Sequence, residues 1–445
     1  MTSRRRPNVR RALALALAAL AALCAQPAGA NPYELFGFTP RSIGLASANV
    51  ALGDDLAGSF YNPAGMLGHT KSEFGLGIDY TRMMLHIDRT SGGSPVRDGY
   101  TDDAPRVELA IIFPLGGAIL KDRVVIGLNL GHPVGALIRV QTIDQSRPQF
   151  YMYQSKPQRF ATSGSIGIKI INGLSIGIGA QVIAEQIGKV NFQIDLAAKK
   201  FVSREISIDL NTVPEPLAGI LIEPNDWLKI GLSWRKEAQL YYEQPTDLNL
   251  GDIGDLQLNV HGIAQYWPHV FSLGVVVKPT RRWLISAQAD YLLWNRAPLD
   301  QVYVGITPSG AVLGGLGLDA VLGFNSADAP NRFANILIPR VGVEWAALDW
   351  LTLRCGVSVR PPVTPDQVGT TNYLDNFTET FAAGASFRFK DALEVFPDPV
   401  TLDLGSSLMV ANERTQAKRQ VADATGGASF GGALFTIGAM LRYLY

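Results

Sequence analysis

The sequence has 445 residues, 47% of them hydrophobic and 18% charged, with 39 basic and 39 acidic side chains. A formal charge of zero argues against a nucleic-acid-binding protein, which would carry a basic excess, and the apolar content excludes a disordered chain. The longest apolar run, Ala12 to Ala25, has 14 residues, short of the roughly 20 a spanning helix needs, so a helical membrane protein is excluded as well.

Arg4, Arg5, Arg6, Arg10 and Arg11 precede that run, and Ala28-Gly29-Ala30 follows it. A basic start, a short apolar stretch and a small-x-small site make a secretory signal peptide over residues 1–30, with cleavage expected after Ala30. Leu23 stands where a lipoprotein signal would place a small residue before Cys24, so lipidation is not expected. Loss of five arginines and no acid leaves 34 basic against 39 acidic residues, a formal charge of −5. Cys355 is then the only thiol, and no intrachain disulfide can form.

Residues 31–70 do not alternate in polarity. From residue 73 onward alternation is the rule: Phe74, Leu76, Ile78 and Tyr80 interleave with Glu73, Gly75, Gly77 and Asp79. The same period recurs after Asn172-Gly173, a hairpin turn signal, in Leu174, Ile176, Ile178 and Ala180, and again in Leu351, Leu353, Cys355, Val357 and Val359. The pattern predicts strands near residues 73–85, 106–116, 123–133, 159–170, 174–186, 214–223, 227–242, 268–278, 282–295, 334–346, 350–360, 378–390, 399–410 and 432–445. The number is even. Connections after even-numbered strands are short, as at Asn172-Gly173, Asn225-Asp226, Pro279 to Arg281 and Ala347 to Asp349. Those after odd-numbered strands are long: 86–105, 134–158, 187–213, 243–267, 296–333, 361–377 and 411–431. A water-soluble sandwich gives no reason for that segregation. An outer-membrane barrel does, with short periplasmic turns and long external loops, and it places both chain ends on the periplasmic side.

Aromatic residues near the predicted strand ends (Tyr80, Trp227, Trp234, Trp283, Trp294, Trp345, Trp350 and Tyr443) fit the two interfacial girdles of such a barrel. The chain closes on Phe435, Ile437, Ala439, Leu441, Tyr443 and Tyr445, alternating to a terminal aromatic, which resembles the C-terminal signal read by the barrel assembly machinery. The fold class is therefore all-β: a transmembrane antiparallel barrel of about 14 strands over residues 71–445 in the outer membrane of a Gram-negative cell. A barrel that wide needs filling or leaves a channel. Residues 31–70 carry Leu35, Phe36, Phe38, Ile43, Leu45, Leu52, Leu56 and Phe60, too apolar for a free tail, and are expected to enter the lumen as a plug.

Within that segment the order Arg41-x-x-Gly44-x-Ala46-x-Ala48-x-x-Ala51, then Asp54-Asp55, then Asn62-Pro63-Ala64-Gly65 resembles the FadL/TodX family of outer-membrane transport proteins. Gly127 to Gly135, Ile220 to Trp234 and Trp283 to Trp294 are also similar to segments of that family, so the likeness runs along essentially the whole mature chain. The sequence departs from the family pattern at Val134, where a Phe is usual, and around Asn49, which is less glycine-rich. The resemblance implies a barrel closed by an N-terminal hatch and passive uptake of hydrophobic molecules, long-chain fatty acids or aromatic hydrocarbons. It further implies capture by external loops and sideways exit at a kinked third strand. Arg41, Asp54, Asp55, Asn62, Pro63, Ala64 and Gly65 are then the hatch motif. Gly131, His132, Pro133 and Gly135 are the lateral gate, because proline cannot donate to a ladder and glycine marks a bend.

The expected partners are a hydrophobic solute, outer-membrane lipid and the assembly machinery, with the protein working as a monomer and without a cofactor. The histidines at 69, 86, 132, 261 and 269 lack metal-ligand spacing. Gly427-Ala-Ser429-Phe-Gly431 matches the hydrolase pattern Gly-x-Ser-x-Gly but precedes a strand rather than a helix, so no enzyme is expected. Gly315-Leu-Gly317-Leu-Asp-Ala320 imitates a dinucleotide fingerprint without a βαβ unit. Lys169, Lys229, Arg235, Arg340, Glu344, Arg354, Arg360, Arg388 and Asp403 fall on the lumen face by alternation. They could serve a carboxylate ligand or, as the favoured reading, a structural network. A general porin for polar solutes and an outer-membrane lipid hydrolase are the competing functions.

Overall fold

The structure is a computed structural model that describes residues 33–89, 101, 103–117, 120, 122–134, 148–153, 161–195, 200–249, 255–297, 302–309, 324–325, 333–367, 372–390, 398–417 and 427–445. The expected signal peptide, Gly135 and the stretch from Gly315 to Ala320 lie outside the described residues.

Fourteen strands form a closed wall: β1 (Glu73–Arg89), β2 (Ala104–Pro114), β3 (Val124–Pro133), β4 (Ala161–Ile171), β5 (Leu174–Asp195), β6 (Lys200–Asn225) and β7 (Leu228–Arg235), then β8 (Val270–Thr280), β9 (Trp283–Leu292), β10 (Ile336–Leu348), β11 (Leu351–Arg360), β12 (Thr378–Phe389), β13 (Val400–Gln416) and β14 (Ala428–Leu444). Every neighbouring pair is antiparallel, and β14 closes on β1 from Glu73↔Leu444 to Arg89↔Ala428. Tyr445 N donates to Ser72 O, so both ends of the wall meet on the side of the short turns.

Polarity is inverted relative to a water-soluble protein. Ile78, Leu76, Phe381 and Leu441 are 64%, 52%, 52% and 52% exposed on the outer face. Asp79, Arg106, Glu108 and Asp403, on the inner face, are 3% exposed or less. A wall with apolar side chains outside and charges inside is stable when lipid is the outer solvent. At the short-turn end Trp283 stacks on Trp345 and Trp350 on Phe387, with ring centroids 5.5 and 6.4 Å apart, and Trp227 is exposed nearby. These residues make one girdle. Among the described residues no helix is long and apolar enough to cross a membrane.

Two expectations are corrected. Residues 187–213 and 243–267 are largely strand rather than loop: β5 and β6 pair from Leu174↔Ile222 as far as Asp195↔Lys200, and Ala238–Asn249 pairs with Asp255–Trp267. A ladder needs an apolar face only where it meets lipid, so pairing continues after the lipid-facing pattern has ended. Trp294 is not a girdle residue. It follows β9 in a 3-10 turn, Trp294–Arg296, which breaks the alternation and turns the indole inward to 0% exposure.

The N-terminal segment sits inside the ring. It contains three single-turn helices (Tyr33–Phe36, Pro40–Gly44 and Gly58–Tyr61) and the 3-10 turn Pro63–Gly68. Pro40 backs onto Gly405 of β13, Leu45 onto Gly356 of β11, Val50 onto Gly231 of β7 and Met66 onto Gly127 of β3.

Candidate functional site

The inner wall presents two different surfaces, and the N-terminal segment divides them. On the side of the short turns, glycine and ion pairs seat the segment. Gly167, Gly177 and Gly219 stand opposite one another on β4, β5 and β6. A Cβ on Gly177 would lie 2.4 Å from Ala64 N, and one on Gly219 would lie 1.9 Å from Asn62 Oδ1. Only a wall stripped of side chains admits the Asn62-Pro63-Ala64 turn at this depth. Asn62 caps the turn by accepting from Ala64 N at 3.1 Å, and its amide donates to Val50 O at 2.8 Å and to Ile220 O at 3.1 Å. Pro63 occupies the first position of the turn, where a missing N–H costs nothing.

Arg41 is the electrostatic anchor. Its Nε and Nη2 grip Glu344 of β10 at 2.9 and 2.7 Å, and its Nη1 donates to Asp54 O and Oδ1 at 3.0 and 3.2 Å. Asp55 Oδ2 lies 3.6 Å from the same nitrogen. The Arg41 guanidinium holds the Asp54 carboxyl well below the usual carboxylate range, whereas burial pushes Asp55 up. From Glu344 the charges continue along the wall: Arg354 Nε at 2.5 Å, then Asp403, Arg442, Glu73 and finally His69, whose Nδ1 is 3.0 Å from Glu73. The chain of alternating charge therefore starts in the N-terminal segment and runs to Glu73, which His69 of the same segment contacts. On the neighbouring strands Arg106 pairs with Asp79 at 2.7 Å, and Glu108 accepts from Thr39 N at 3.0 Å.

Toward the long loops a cavity of mixed lining lies between the segment and the loops, with Ser233, Ser272, Gln288 and Ser358 among its polar residues. Phe36, Ile43, Val50 and Phe60 of the segment form its floor; Leu217, Trp267, Val270, Leu292, Trp294, Ile336 and Ile338 form the wall, with Met152 and Met409 beside them. Trp294 anchors an aromatic cluster, with edge-on contacts at 5.6 Å to Trp267, 5.8 Å to Tyr266 and 6.0 Å to Tyr151 and Phe333. The cavity also meets three arginines, each engaged by the protein itself. Arg360 makes a fork with Asp375 at 2.8 and 2.7 Å and donates to Tyr153 Oη at 2.8 Å. Arg340 binds Asp290 at 2.7 Å and Ala46 O at 3.0 Å. Arg235 donates to Phe60 O at 2.8 Å and lies 4.2 Å from the centre of the Phe60 ring.

Arg41, Asp54 and Asp55 of the sequence-predicted set meet at one point, and Asn62 to Gly65 form one turn on the glycine row. Gly131, His132 and Pro133 are the last residues of β3. Their pairing with β2 is unbroken, nine successive pairs reaching Arg106↔Pro133, while the ladder with β4 ends among the described residues at Gly131↔Ala161. Of the predicted lumen charges, Arg235, Arg340, Glu344, Arg354, Arg360 and Asp403 are engaged as above; Lys229 pairs with Glu223 at 2.6 Å, Lys169 is half-buried and Arg388 is exposed. The Gly-x-Ser-x-Gly serine, Ser429, opens β14 and donates to Glu413 Oε1 at 2.6 Å. His86 lies on the same carboxylate, 3.2 Å from Oε2, so the carboxylate stands between serine and imidazole, unlike a triad in which the imidazole contacts the serine. Among the described residues no group of side chains could hold a metal. Sequence reasoning missed the aromatic cavity. Its one signal is the pair Trp267 and Trp294, the first expected in the loop 243–267 and the second at a strand end.

The family model described as outer membrane protein transport protein (OMPP1/FadL/TodX) matches residues 21–437. Alkane uptake protein A of Marinobacter nauticus is 23% identical over 439 residues, covering 91% of this chain and 90% of that protein. Among solved structures, a Pseudomonas aeruginosa FadL homologue has a TM-score of 0.57 at 15% identity, covering 94% of this chain and 98% of its own. The P. putida toluene transporter TodX has a TM-score of 0.58 at 12% identity, covering 92% and 99%. These two likenesses establish the barrel fold, and the family match establishes more. This chain belongs to the OMPP1/FadL/TodX family of outer-membrane transport proteins.

Proposed function

We propose that the protein takes up neutral apolar small molecules, alkanes or monoaromatic hydrocarbons, across the outer membrane. The observation that carries this reading is the cavity: Val270, Leu292, Ile336 and Ile338 line it beside Trp267 and Trp294, and of its charged groups Arg340 is bound to Asp290 and Arg360 to Asp375. Moving a solute from water into such a site is worth about 0.8 kcal/mol per CH₂. At Arg340 and Arg360 a fatty-acid carboxylate would compete with Asp290 and Asp375 for its charge-assisted bond, which favours the uncharged solute. Likeness to an alkane uptake protein and to a toluene transporter points the same way.

In this reading the external loops capture the solute and the aromatic cluster around Trp294 passes it to the cavity. Residues 31–70 act as a hatch below it, tied by Arg41, Asp54, Asp55 and the turn Asn62-Pro63-Ala64-Gly65. The solute leaves sideways near the end of β3, at Gly131, His132 and Pro133 with Gly135. The protein works as a monomer after insertion by the assembly machinery. The test pairs uptake of labelled alkane, toluene and oleate in a strain lacking its own transporter with binding to the purified protein. Uptake and saturable binding of the hydrocarbons in preference to oleate are expected; oleate uptake alone would return the reading to fatty acids. A large steady conductance in planar bilayers would favour a general porin instead.

A further inference from the structure

The wall has a built discontinuity away from β3. β7 and β8 pair over eight residues, from Leu228↔Val277 to Arg235↔Val270. Both chains continue toward the loops, where pairing resumes at Ala238↔Trp267. Between these two ladders stand Lys236 and Glu237 on one side and Pro268 and His269 on the other, members of neither. Pro268 has no N–H to offer. The gap is bridged by one imidazole: Glu237 N and Trp234 Nε1 both donate to His269 Nδ1, at 3.2 and 3.3 Å, with the indole stacked on the ring. Glu237 is held in turn by Arg296 at 2.9 Å and by the Tyr266 hydroxyl at 3.2 Å. Side-chain bonds thus replace backbone pairing at a single level of the wall.

Inside that level lies the cavity, which reaches Ser233, Trp234, Trp267, Val270 and Ser272. Outside it lies a groove facing the lipid, lined by Ile178, Ile220, Leu232, Phe271, Leu273 and Tyr291 over the small residues Ala218 and Ala289. Ser233, Trp234 and Ser272 border both spaces. Eight residues at about 3.3 Å each, tilted by about 40°, put the break roughly 20 Å above the short turns, near the outer edge of the apolar band.

We propose that the wall opens at this break as a second lateral exit, through which a neutral apolar solute leaves the cavity past Trp234 and His269 into the outer groove and the bilayer. The occupant of the groove is the departing solute. Its chemistry follows from continuity with the cavity and from a lining that offers it apolar contact throughout. The exit rests on the uptake reading above and concerns only how the cavity empties.

Two variants on the lipid face test it without touching the cavity lining, both in a Cys355→Ser background. Ala218→Trp fills the groove. Leu232→Cys with Leu273→Cys, directly opposite on β7 and β8, ties the strands below the break with a reducible disulfide. Uptake of labelled alkane by cells is measured beside alkane binding by the purified proteins. Binding unchanged with uptake lowered at least threefold by Ala218→Trp and by the oxidised β7–β8 tie, and restored by reduction of the tie, supports the exit. Binding and uptake both unchanged in the two β7–β8 variants would overturn it, leaving the groove as a resting place for lipid chains. An unmodified protein that neither binds nor takes up alkane would overturn the uptake reading itself.

Discussion

The two halves of the lumen are built from the same strands and solve opposite problems. Toward the short turns, inward positions are glycine, charged or apolar residues packed on the segment, such as Ile112, Val125, Val276 and Leu284, and each charge on the path from Asp54 through Arg41, Glu344, Arg354, Asp403 and Arg442 to Glu73 meets a partner of opposite sign. Toward the long loops, Leu217, Val270, Leu292, Ile336 and Ile338 share the inner face with the pairs Arg340–Asp290 and Arg360–Asp375, and the space between them is left open. Buried ion pairs fix a specific arrangement better than they add stability, because desolvation offsets much of the attraction. An apolar cavity does the reverse, offering transfer free energy without a fixed geometry. The lower half is therefore suited to hold a segment in one place, and the upper half to accept solutes of varied shape.

Removing the anchor should break the comparison most severely. Arg41→Ala takes the shared cation from Asp54, Asp55 and Glu344, but Glu344 keeps Arg354, so the loss should fall at the low end of the about 3–5 kcal/mol that follows removal of one partner from a buried pair. Residues 33–70 should become protease-sensitive and channel conductance should rise, while the barrel stays folded. Asn62→Ala removes a cap and strands Val50 O and Ile220 O, so it should weaken seating of the segment by about 1–3 kcal/mol in the same protease assay.

Acid should loosen the lower half and spare the upper. Arg41 lowers the pKa of Asp54 in the folded state, so the contribution of Asp54 is complete above its unfolded value and is lost as pH falls through the depressed one. Asp55 has the opposite sign: burial raises its pKa, and its contribution is present in acid and fades as pH rises through the raised value. Conductance followed down in pH should rise in the wild type, and Asp54→Asn should flatten that rise. Asp55→Asn should leave seating at pH 7 unchanged or firmer. The smallest effect should come from Ser47→Gly. Ser47 has φ of 60°, a left-handed conformation that glycine adopts freely, and the substitution should firm the segment by about 0.5–1 kcal/mol, read as slower proteolysis.

The wall was legible because lipid enforces a strict rule on it: every second residue must be apolar wherever a strand crosses, and short turns must lie on one side. Each of the fourteen sequence-predicted segments corresponds to a wall strand. The rule lapses above the membrane, which is why β5, β6 and the hairpin from Ala238 to Trp267 were read as loops there. Trp294 was misassigned for a related reason, since one 3-10 turn shifts the phase and turns a girdle position into a lumen position. Arg41, Asp54 and Asp55 could be picked out within one short stretch. Glu344, the strongest partner of Arg41, is 303 residues away, and no local pattern announces such a meeting. The cavity was hidden because its lining comes from the segment, the wall and the loops together.

The central claim is that the upper cavity binds neutral hydrocarbon, and Trp267 and Trp294 in its lining allow a direct measurement. A brominated alkane titrated into the purified protein should quench part of the tryptophan fluorescence saturably, and that saturable part should fall to the share of Trp234 in the double variant Trp267→Phe, Trp294→Phe, beside the gradual quenching of the girdle tryptophans. Saturable quenching that persists unchanged in the double variant, or quenching that never saturates in the wild type, would contradict the claim.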